Sequence, residues 1–191
     1  MENIVTHTGK TFLSVNYSGK TLRNREFIKC NFNNCDFSNS DLRGILFDQC
    51  TFNQCNFSMV EIEGAGFRSV EFKESKILGV NFTRCSKFAF SFTFISSILD
   101  YSNFFGTKLK KTTFKDCSIK DAVFTETDLT ASSFSGCDLS NTIFFNTNLE
   151  KVDFTTALNY IIDLDLNRMR KAKFNALNLS GLLLKYNLDI E

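Results

Sequence analysis

A large apolar side chain recurs at every fifth position over most of this chain, and this period constrains the fold more than any other feature. From Phe12 to Phe82 every such position holds Phe, Tyr, Leu or Ile, and a second frame does the same from Phe94 to Phe154. These four residue types make up less than a third of the 191 residues. The period therefore cannot arise from composition alone.

A five-residue period is incompatible with the two simplest regular structures. Five residues advance about 500° around a helix, which would scatter the apolar positions over its whole circumference. In a flat strand an odd period switches the side chains from one face to the other. A chain that turns by about 90° after each unit instead closes a square coil in four units, and such coils stack at about 4.8 Å. We therefore predict an all-β solenoid with ladders of Phe and Leu inside.

The cysteines fit the same pattern. Each occupies the small position of its unit, which points inward together with the large residue because alternate residues of an extended chain share a face. Their five-residue spacings match no zinc pattern, so we expect buried thiols, no metal site and no cofactor. The seven cysteines are Cys30, Cys35, Cys50, Cys55, Cys85, Cys117 and Cys137.

Nothing in the sequence indicates an enzyme. The single His, His7, lies outside the repeats, and the chain has neither a GxSxG motif nor a glycine-rich phosphate loop. A glycosidase would need two carboxylates in a groove. Coil stacking could place Asp128 near Asp153 or Asp138, but on an open surface that neither excludes water nor raises a pKa. We therefore expect a binding protein without catalytic residues.

The period is broken once. The distance from Phe82 to Phe94 is twelve residues rather than ten, so two extra residues must bulge or widen a corner within 83–93. Two interpretations stay open: an uneventful loop at the edge of a coil, or a loop that contacts a partner.

The units CNFNN, CDFSN, SDLRG, CTFNQ, CDLSN and TNLEK resemble the pentapeptide-repeat family, whose motif is a small residue, Asn or Asp, Leu or Phe, and two variable residues. The resemblance covers about residues 12–156 and implies a right-handed quadrilateral β-helix. We expect one domain over residues 1–191, with irregular final coils at 157–174.

Residues 176–186 are expected to form a short amphipathic α-helix, because their apolar residues are three or four positions apart. Asn175 can cap its start and Asn187 its end. An open solenoid end exposes backbone groups and core side chains. The helix is therefore predicted to cover the end of the shaft.

A pentapeptide shaft that ends in a short apolar helix is similar to the quinolone-resistance (Qnr) and microcin-immunity branch of the family. In that branch the terminal helix joins two shafts end to end, and the rod mimics duplex DNA to engage DNA gyrase or topoisomerase IV. The resemblance thus implies a homodimer and a DNA mimic that gives resistance or immunity to gyrase-targeting drugs or toxins. The expected dimer contacts are Leu179, Leu182, Leu183 and Tyr186.

A DNA mimic needs outward carboxylates, and the charges of this chain are segregated along its length. The net charge is only +1, whereas members of the Qnr branch are usually acidic overall. Residues 121–166 nevertheless hold eight acids against one base, and residues 84–120 hold seven bases against two acids. The predicted partner-binding carboxylates are Asp121, Glu126, Asp128, Asp138, Glu150 and Asp153.

Outward apolar residues provide a second candidate surface. Equivalent positions on successive coils are 20 residues apart, so several of these residues should meet on one face and could dock a protein partner. A non-catalytic interaction scaffold is therefore the alternative to the topoisomerase hypothesis. The segment 83–93 could instead cover part of this stripe. The apolar stripe consists of Phe105, Val123, Ile143 and Phe145.

Other partners are not expected. The lysines within 108–120 lack interleaved outward aromatic residues, which favours a solvated basic face over direct contact with nucleic acid. No apolar run approaches the roughly 20 residues of a membrane span, and the first residues lack the pattern of a secretion signal. We therefore expect a cytoplasmic protein without membrane contact.

Overall fold

Parallel pairing between residues 20 positions apart organises the chain in the computed structural model, which describes residues 4–88 and 90–189. Phe12 pairs with Phe32 and Phe32 with Phe52, and the offset becomes 22 between Phe72 and Phe94. The predicted all-β solenoid, a right-handed quadrilateral β-helix with a short C-terminal α-helix, is confirmed.

The strands are short, and isolated bridges continue the pairing between them and in the last coils. All pairing is parallel, so each coil donates backbone N–H groups to its neighbours, which accounts for the absence of Pro from the chain. The strands are β1 (Val5–Thr8), β2 (Thr11–Leu13), β3 (Arg25–Ile28), β4 (Asn31–Asn33), β5 (Leu46–Asp48), β6 (Thr51–Asn53), β7 (Gly66–Lys73), β8 (Phe90–Ile95), β9 (Thr113–Lys115) and β10 (Ser133–Ser135).

Four faces surround the core, and we number them 1 to 4 in chain order by the large residues that point inward. The inward columns are His7, Phe27, Phe47, Phe67, Leu109, Leu129 and Leu149 on face 1; Phe12, Phe32, Phe52, Phe72, Phe94, Phe114, Phe134, Phe154 and Phe174 on face 2; Tyr17, Phe37, Phe57, Ile77, Leu99, Ile119 and Leu139 on face 3; and Leu22, Leu42, Ile62, Phe82, Phe104, Phe124 and Phe144 on face 4.

Aromatic rings stack along these columns. On face 2 the ring of Phe114 lies parallel to those of Phe94 and Phe134, with centroid distances of 5.2 and 4.8 Å. Rings on neighbouring faces meet edge to face, as Phe114 and Phe124 do at 6.1 Å. Aromatic pairs favour both arrangements. These four rings are completely buried, so the predicted inward ladders are confirmed.

The small inward residues connect successive coils. The hydroxyl of Thr127 donates to the carbonyl oxygen of Phe104 at 2.7 Å, and the thiol of Cys50 donates to that of Phe27 at 3.2 Å. All seven cysteines are buried free thiols, as predicted. Burial raises the pKa of Cys85 to about 12, and that of Cys50 likewise, so these thiols stay protonated and unreactive.

Most corners of the shaft contain a residue in the left-handed conformation. Most of these residues are not glycine: Asn34, Lys111 and Glu126, for example, have φ values of 54°, 58° and 57°. This conformation costs roughly 1–2 kcal/mol for a residue with a Cβ. None of the described residues with positive φ is Val, Ile or Thr, which agrees with the greater strain of β-branched side chains there.

The segment 176–186 covers the C-terminal end of the shaft, and we call it the cap. Only α1 (Ser180–Leu183) is α-helical, between 3₁₀ turns at Ala176–Asn178 and Leu184–Tyr186, so the predicted continuous helix is in fact three short pieces. The predicted capping residues are confirmed: the Asn175 side chain accepts from the N–H of Leu177, and Asn187 ends the last turn at φ 48°.

The cap is fixed to the final coils by close backbone contact. The hydroxyl of Tyr160 donates to the carbonyl oxygen of Asn178, and the N–H of Ile162 donates to that of Gly181 at 3.1 Å. A Cβ on Gly181 would collide with the carbonyl oxygen of Tyr160. Glycine is therefore required at this point of the cap.

The irregular segment forms a bulge in the pairing of β8 with β7. Phe67 pairs with Phe90 and Val70 with Phe92, with a register shift between the two pairs. Phe92 consequently fills the inward position that Val70 fills one coil earlier, and it is buried. Phe88, two residues before β8, is 98% exposed.

Candidate protein-binding surfaces

The six predicted partner-binding carboxylates do not share a face, which corrects the expectation of a single acidic face. Bridges place Asp128 in the outward column of face 1, Asp153 in that of face 2 and Asp138 in that of face 3. The carboxylates surround the C-terminal half of the shaft because the odd five-residue period sends successive units to successive faces. The other three, Asp121, Glu126 and Glu150, lie at or beside corners.

The carboxylates on faces 1, 2 and 3 stabilise the fold. Each accepts hydrogen bonds from the hydroxyl and the backbone N–H of the residue two positions further on. Each also forms an ion pair with a lysine one coil away. The N–O distances are 3.1 Å for Lys110 and Asp128, 3.1 Å for Lys120 and Asp138, and 3.9 Å for Lys173 and Asp153.

These contacts keep the carboxyl groups ionised. Burial raises the pKa of Asp138, but hydrogen bonds from Ser140, Asn159 and Lys120 outweigh it and leave the pKa well below its usual range. The same balance lowers the pKa of Asp128. Because the lysines neutralise much of this charge, these carboxylates contribute less to a DNA-like potential than the sequence predicted.

The four residues of the apolar stripe do share a face. Val123 bridges to Ile143 in the outward column of face 4, and Phe105 and Phe145 lie two positions beyond this column, two coils apart. Phe105, Ile143 and Phe145 are 45%, 50% and 43% exposed, and Val123 is half-buried. Contiguous exposed apolar residues of this kind are typical of protein contacts.

Two of the corner carboxylates border this stripe. Asp121 and Glu126 are the left-handed corner residues at the two ends of the face 4 segment that contains Val123. Asp121 accepts a hydrogen bond from Asn141, and neither carboxylate forms an ion pair with any described residue. Face 4 therefore carries one carboxylate at each of its two corners, on the coil between those of Phe105 and Phe145, and we call these two positions the acidic edges.

The bulge lies beside the stripe but does not cover it. Phe88 and Phe90 line a cavity of about 360 Å³ together with Gly106 and Lys108 at the corner between faces 4 and 1. Phe105 directly precedes Gly106, which lines this cavity, but it is still 45% exposed. The possibility that segment 83–93 shields the stripe is therefore not realised in the described residues.

The predicted dimer contacts differ in their exposure. Leu182 is 8% exposed and packs against the core, so its assignment to the dimer interface is corrected: it closes the shaft. Leu183 is half-buried. Leu179 and Tyr186 are exposed and remain available to a second copy.

Sequence reasoning missed several exposed apolar residues near these surfaces. Tyr101 could have been found by extending the 20-residue register, because it shares a corner column with Asp121. The orientation of the cap, by contrast, has no periodic signal in the sequence. The missed residues are Tyr101, Ile161, Leu166, Leu177 and Leu184.

The described residues, 4–88 and 90–189, contain no helix that is long and apolar enough to cross a membrane. Within the same ranges, no three His, Cys, Asp or Glu side chains are grouped so that they could hold a metal ion.

Comparisons with known proteins agree with this architecture. No curated protein matches the chain. Among solved structures, a trypsin-treated variant of QnrB1, described as a plasmid-mediated fluoroquinolone resistance protein, is 17% identical with a TM-score of 0.74, covering 100% of this chain and 99% of that one. Full-length QnrB1 is 21% identical with a TM-score of 0.55, covering 96% and 100%.

HetL, a pentapeptide repeat protein involved in heterocyst differentiation regulation from the cyanobacterium Nostoc, is also similar. It is 13% identical with a TM-score of 0.66, and the match covers 96% of this chain and 90% of HetL. At these identities the structures share a fold. Family models of the pentapeptide repeat match residues 25–104 and 122–158, together more than half of the sequence. The chain belongs to the pentapeptide-repeat family.

Proposed function

We propose that this protein is a non-catalytic binding rod that engages a type II topoisomerase, DNA gyrase or topoisomerase IV, and protects it from a drug or toxin. The proposal is supported by the likeness in fold to a fluoroquinolone resistance protein over almost the whole length of both chains. It would place the protein in the cytoplasm, where bacterial topoisomerases act.

The contact surface that we propose is face 4 of the C-terminal half. The observation that carries it is the apolar stripe between Asp121 and Glu126, two carboxylates without an ion pair among the described residues. An enzyme surface that binds DNA is basic, and it could pair with these edges while the apolar centre is buried. DNA mimicry would then rest on the edges of one face rather than on carboxylates around the whole shaft.

Purified gyrase and topoisomerase IV test this proposal directly. We expect micromolar protein to bind the enzyme, to change supercoiling or decatenation activity, and to restore activity in the presence of a fluoroquinolone. No binding, no effect on activity and no rescue would remove the topoisomerase from the proposal.

Two sets of variants test the surface. Asp121→Asn with Glu126→Gln removes the acidic edges, and Phe105→Thr with Phe145→Thr removes the apolar centre. Threonine is a matched replacement because Thr125 occupies the equivalent position on the coil between them. We expect each double variant to weaken topoisomerase binding at least about tenfold, since buried aromatic contacts and complementary charges dominate such interfaces.

Matched controls lie in the N-terminal half of the shaft. Glu74→Gln changes a carboxylate that accepts a hydrogen bond from the Gln54 side chain, and Leu13→Asn changes an exposed leucine that pairs with Asn33. Both should leave binding unchanged. If the face 4 variants bind as well as these controls, the proposed surface is wrong even where the topoisomerase is the partner.

A second candidate function is a scaffold for a different protein, which the exposed rings of Phe105 and Phe145 favour independently of charge. A pull-down from bacterial lysate with the wild type and with the Phe105→Thr, Phe145→Thr variant would identify such a partner. A protein captured by the wild type alone, in the absence of topoisomerase binding, would support the scaffold.

We also propose that two copies associate through the cap, with Leu179, Leu184 and Tyr186 in the contact. These exposed side chains lie on the segment that covers the end of the shaft. Leu184→Arg should convert a dimer to a monomer in light scattering, whereas Leu13→Arg at the opposite end should not. An unchanged mass for Leu184→Arg would contradict this contact.

A further inference from the structure

The coil register brings basic residues from distant parts of the sequence onto one edge of the shaft, the corner between faces 1 and 2. Lys111, Lys151 and Lys171 occupy the same left-handed corner position on different coils, with φ values of 58°, 59° and 60°. Ala131 holds this position on the remaining coil, at φ 59°. The three lysines therefore form a straight column along the shaft.

Further cations lie on both sides of this column. Lys108 and Arg168 are in the outward column of face 1, and Lys173 is in that of face 2, as their bridges show. All are exposed. We call the whole set the basic edge: Lys108, Lys110, Lys111, Lys151, Arg168, Arg170, Lys171 and Lys173.

Most of the basic edge is not neutralised by carboxylates of the chain. Lys110 pairs with Asp128 and Lys173 with Asp153, and the other six cations form no ion pair with any described residue. Glu150 is the third carboxylate in this region, and it also forms no ion pair there. The edge therefore keeps an excess of positive charge, although the whole chain has a net charge of only +1.

We propose that the basic edge binds the phosphate backbone of duplex DNA. From Lys111 to Lys171 the column rises by three coils, about 14 Å at the usual strand spacing. This length matches about four phosphates of one strand at 3.4 Å of axial rise each. Straight rows of lysine and arginine at such spacing are suited to phosphate contacts, which need charge and reach rather than base recognition.

The side chains between the cations distinguish the duplex from other anionic surfaces. The outward residues of these coils are small or polar, namely Thr113, Thr130, Ala131, Ser133 and Asn148. Without aromatic rings the edge cannot stack the bases of a single strand, and without large apolar residues it cannot insert into a membrane. A duplex backbone requires neither contact.

This inference goes beyond the proposed function and does not depend on it. The sequence-based expectation of no nucleic acid contact considered only the lysines within 108–120. The fold adds Lys151 and the segment 168–173 to the same edge. The test uses DNA alone, so its result is independent of any topoisomerase.

The experiment measures binding of the purified chain to a fluorescent 24-base-pair duplex by anisotropy at several salt concentrations. With about four phosphates contacted, log K should fall with log salt at a slope of about −3.6, which is about a 150-fold loss of affinity between 50 and 200 mM salt. Substituting a second duplex of unrelated sequence should leave the affinity unchanged.

The decisive variant combines Lys111→Ala, Lys151→Ala and Lys171→Ala. Alanine is a matched replacement because Ala131 occupies the same corner with the same backbone conformation. The slope of log K against log salt should become shallower, about −0.9, so that the same change in salt weakens binding only about fourfold. The control combines Lys20→Ala, Lys29→Ala and Lys76→Ala, which removes the same charge from exposed positions of the N-terminal half.

Each of the following outcomes would overturn the proposal. The first is that 100 µM protein does not bind the duplex at 50 mM salt. The second is that the decisive and control variants lose the same amount of affinity for the duplex. The third is that the protein binds vesicles containing phosphatidylserine more tightly than it binds the duplex. Urea unfolding of both variants establishes that they fold, and a decisive variant that folds with its salt slope unchanged also contradicts the proposal.

Discussion

The coils before and after the bulge fill the same square interior with different arrangements of Phe. In the N-terminal half Phe occupies faces 1, 2 and 3, and adjacent rings such as Phe27 and Phe32 meet edge to face at 5.2 Å. In the C-terminal half Phe occupies faces 2 and 4, and Phe104 and Phe114 lie 6.5 Å apart. A core of this type thus tolerates different residues on each face, provided that each column stays continuous.

The change between the two arrangements is spread over about one coil. Face 3 changes from Phe57 to Ile77, face 4 then changes from Ile62 to Phe82, and face 1 changes last. The bulge lies at this last change, where Phe92 enters the core at a position that elsewhere holds a small residue. The coil in which this large side chain replaces a small one is therefore the coil in which the five-residue period is broken.

The largest effects should come from removing a ring of either half. Phe32→Ala and Phe114→Ala should each reduce the free energy of unfolding by about 3–5 kcal/mol, because each removes a completely buried ring that stacks on both neighbouring coils. Urea unfolding measures both. Phe88→Ala, at a ring that is 98% exposed, should change little. A much smaller loss for Phe114→Ala would break the equivalence of the two halves.

The C-terminal half ends in a cap that has no described counterpart at the other end. Gly181→Ala should cost about 1–3 kcal/mol, because the added methyl group meets the carbonyl oxygen of Tyr160 and the cap must shift. Thermal unfolding measures the loss, and the exposed neighbour Ser180→Ala serves as its control. Equal stability of the two variants would contradict the close packing of the cap.

The small inward residues differ between the halves, with thiols prominent in the first and hydroxyls in the second. Thr142→Val should cost about 1–2 kcal/mol, since it removes a buried hydroxyl that donates to Ile119 at 2.5 Å. Cys50→Ser, which introduces the hydroxyl type into the first half, should cost about 1 kcal/mol or less because the serine can donate to the same carbonyl as the thiol. If urea unfolding shows a larger loss of stability for Cys50→Ser than for Thr142→Val, the small inward positions of the two halves are not interchangeable.

The smallest effect should be a loss of stability in acid that arises in the C-terminal half. Asp138 and Asp128 have lowered pKa values in the folded chain, so they stabilise it above about pH 4 and lose this contribution as the pH falls through their folded values. Wild type should therefore lose more stability between pH 5 and pH 2 than Asp138→Asn does. An equal or larger loss in the variant would contradict the assignment.

The repeat made most of the fold predictable, because its period depends only on which residues must point inward. Phe12 to Phe82 and Phe94 to Phe154 therefore lie where the sequence places them. Phe90 and Phe92 could not be placed, since a two-residue insertion does not specify which residue re-enters the core. The cap was only partly predictable, because its apolar spacing does not distinguish Leu182, which is buried, from Leu184, which is 61% exposed.

The candidate surfaces were predictable to the extent that they depend on the 20-residue register. The apolar stripe follows from it directly, whereas the acidic residues were grouped by sequence segment and therefore fell on several faces. The basic edge is the converse case. Lys111 and Lys171 are far apart in sequence, but the 20-residue register places them on one corner.

The left-handed corners also affect how such a rod can evolve. Residues as different as Met59, Asp121 and Lys171 adopt the same backbone geometry there, and their side chains do not enter the core. A single codon change at a corner can therefore add, remove or reverse a charge without disturbing the interior. Each of the four edges can diverge separately, so descendants of one shaft can gain or lose partners while their architecture remains constant.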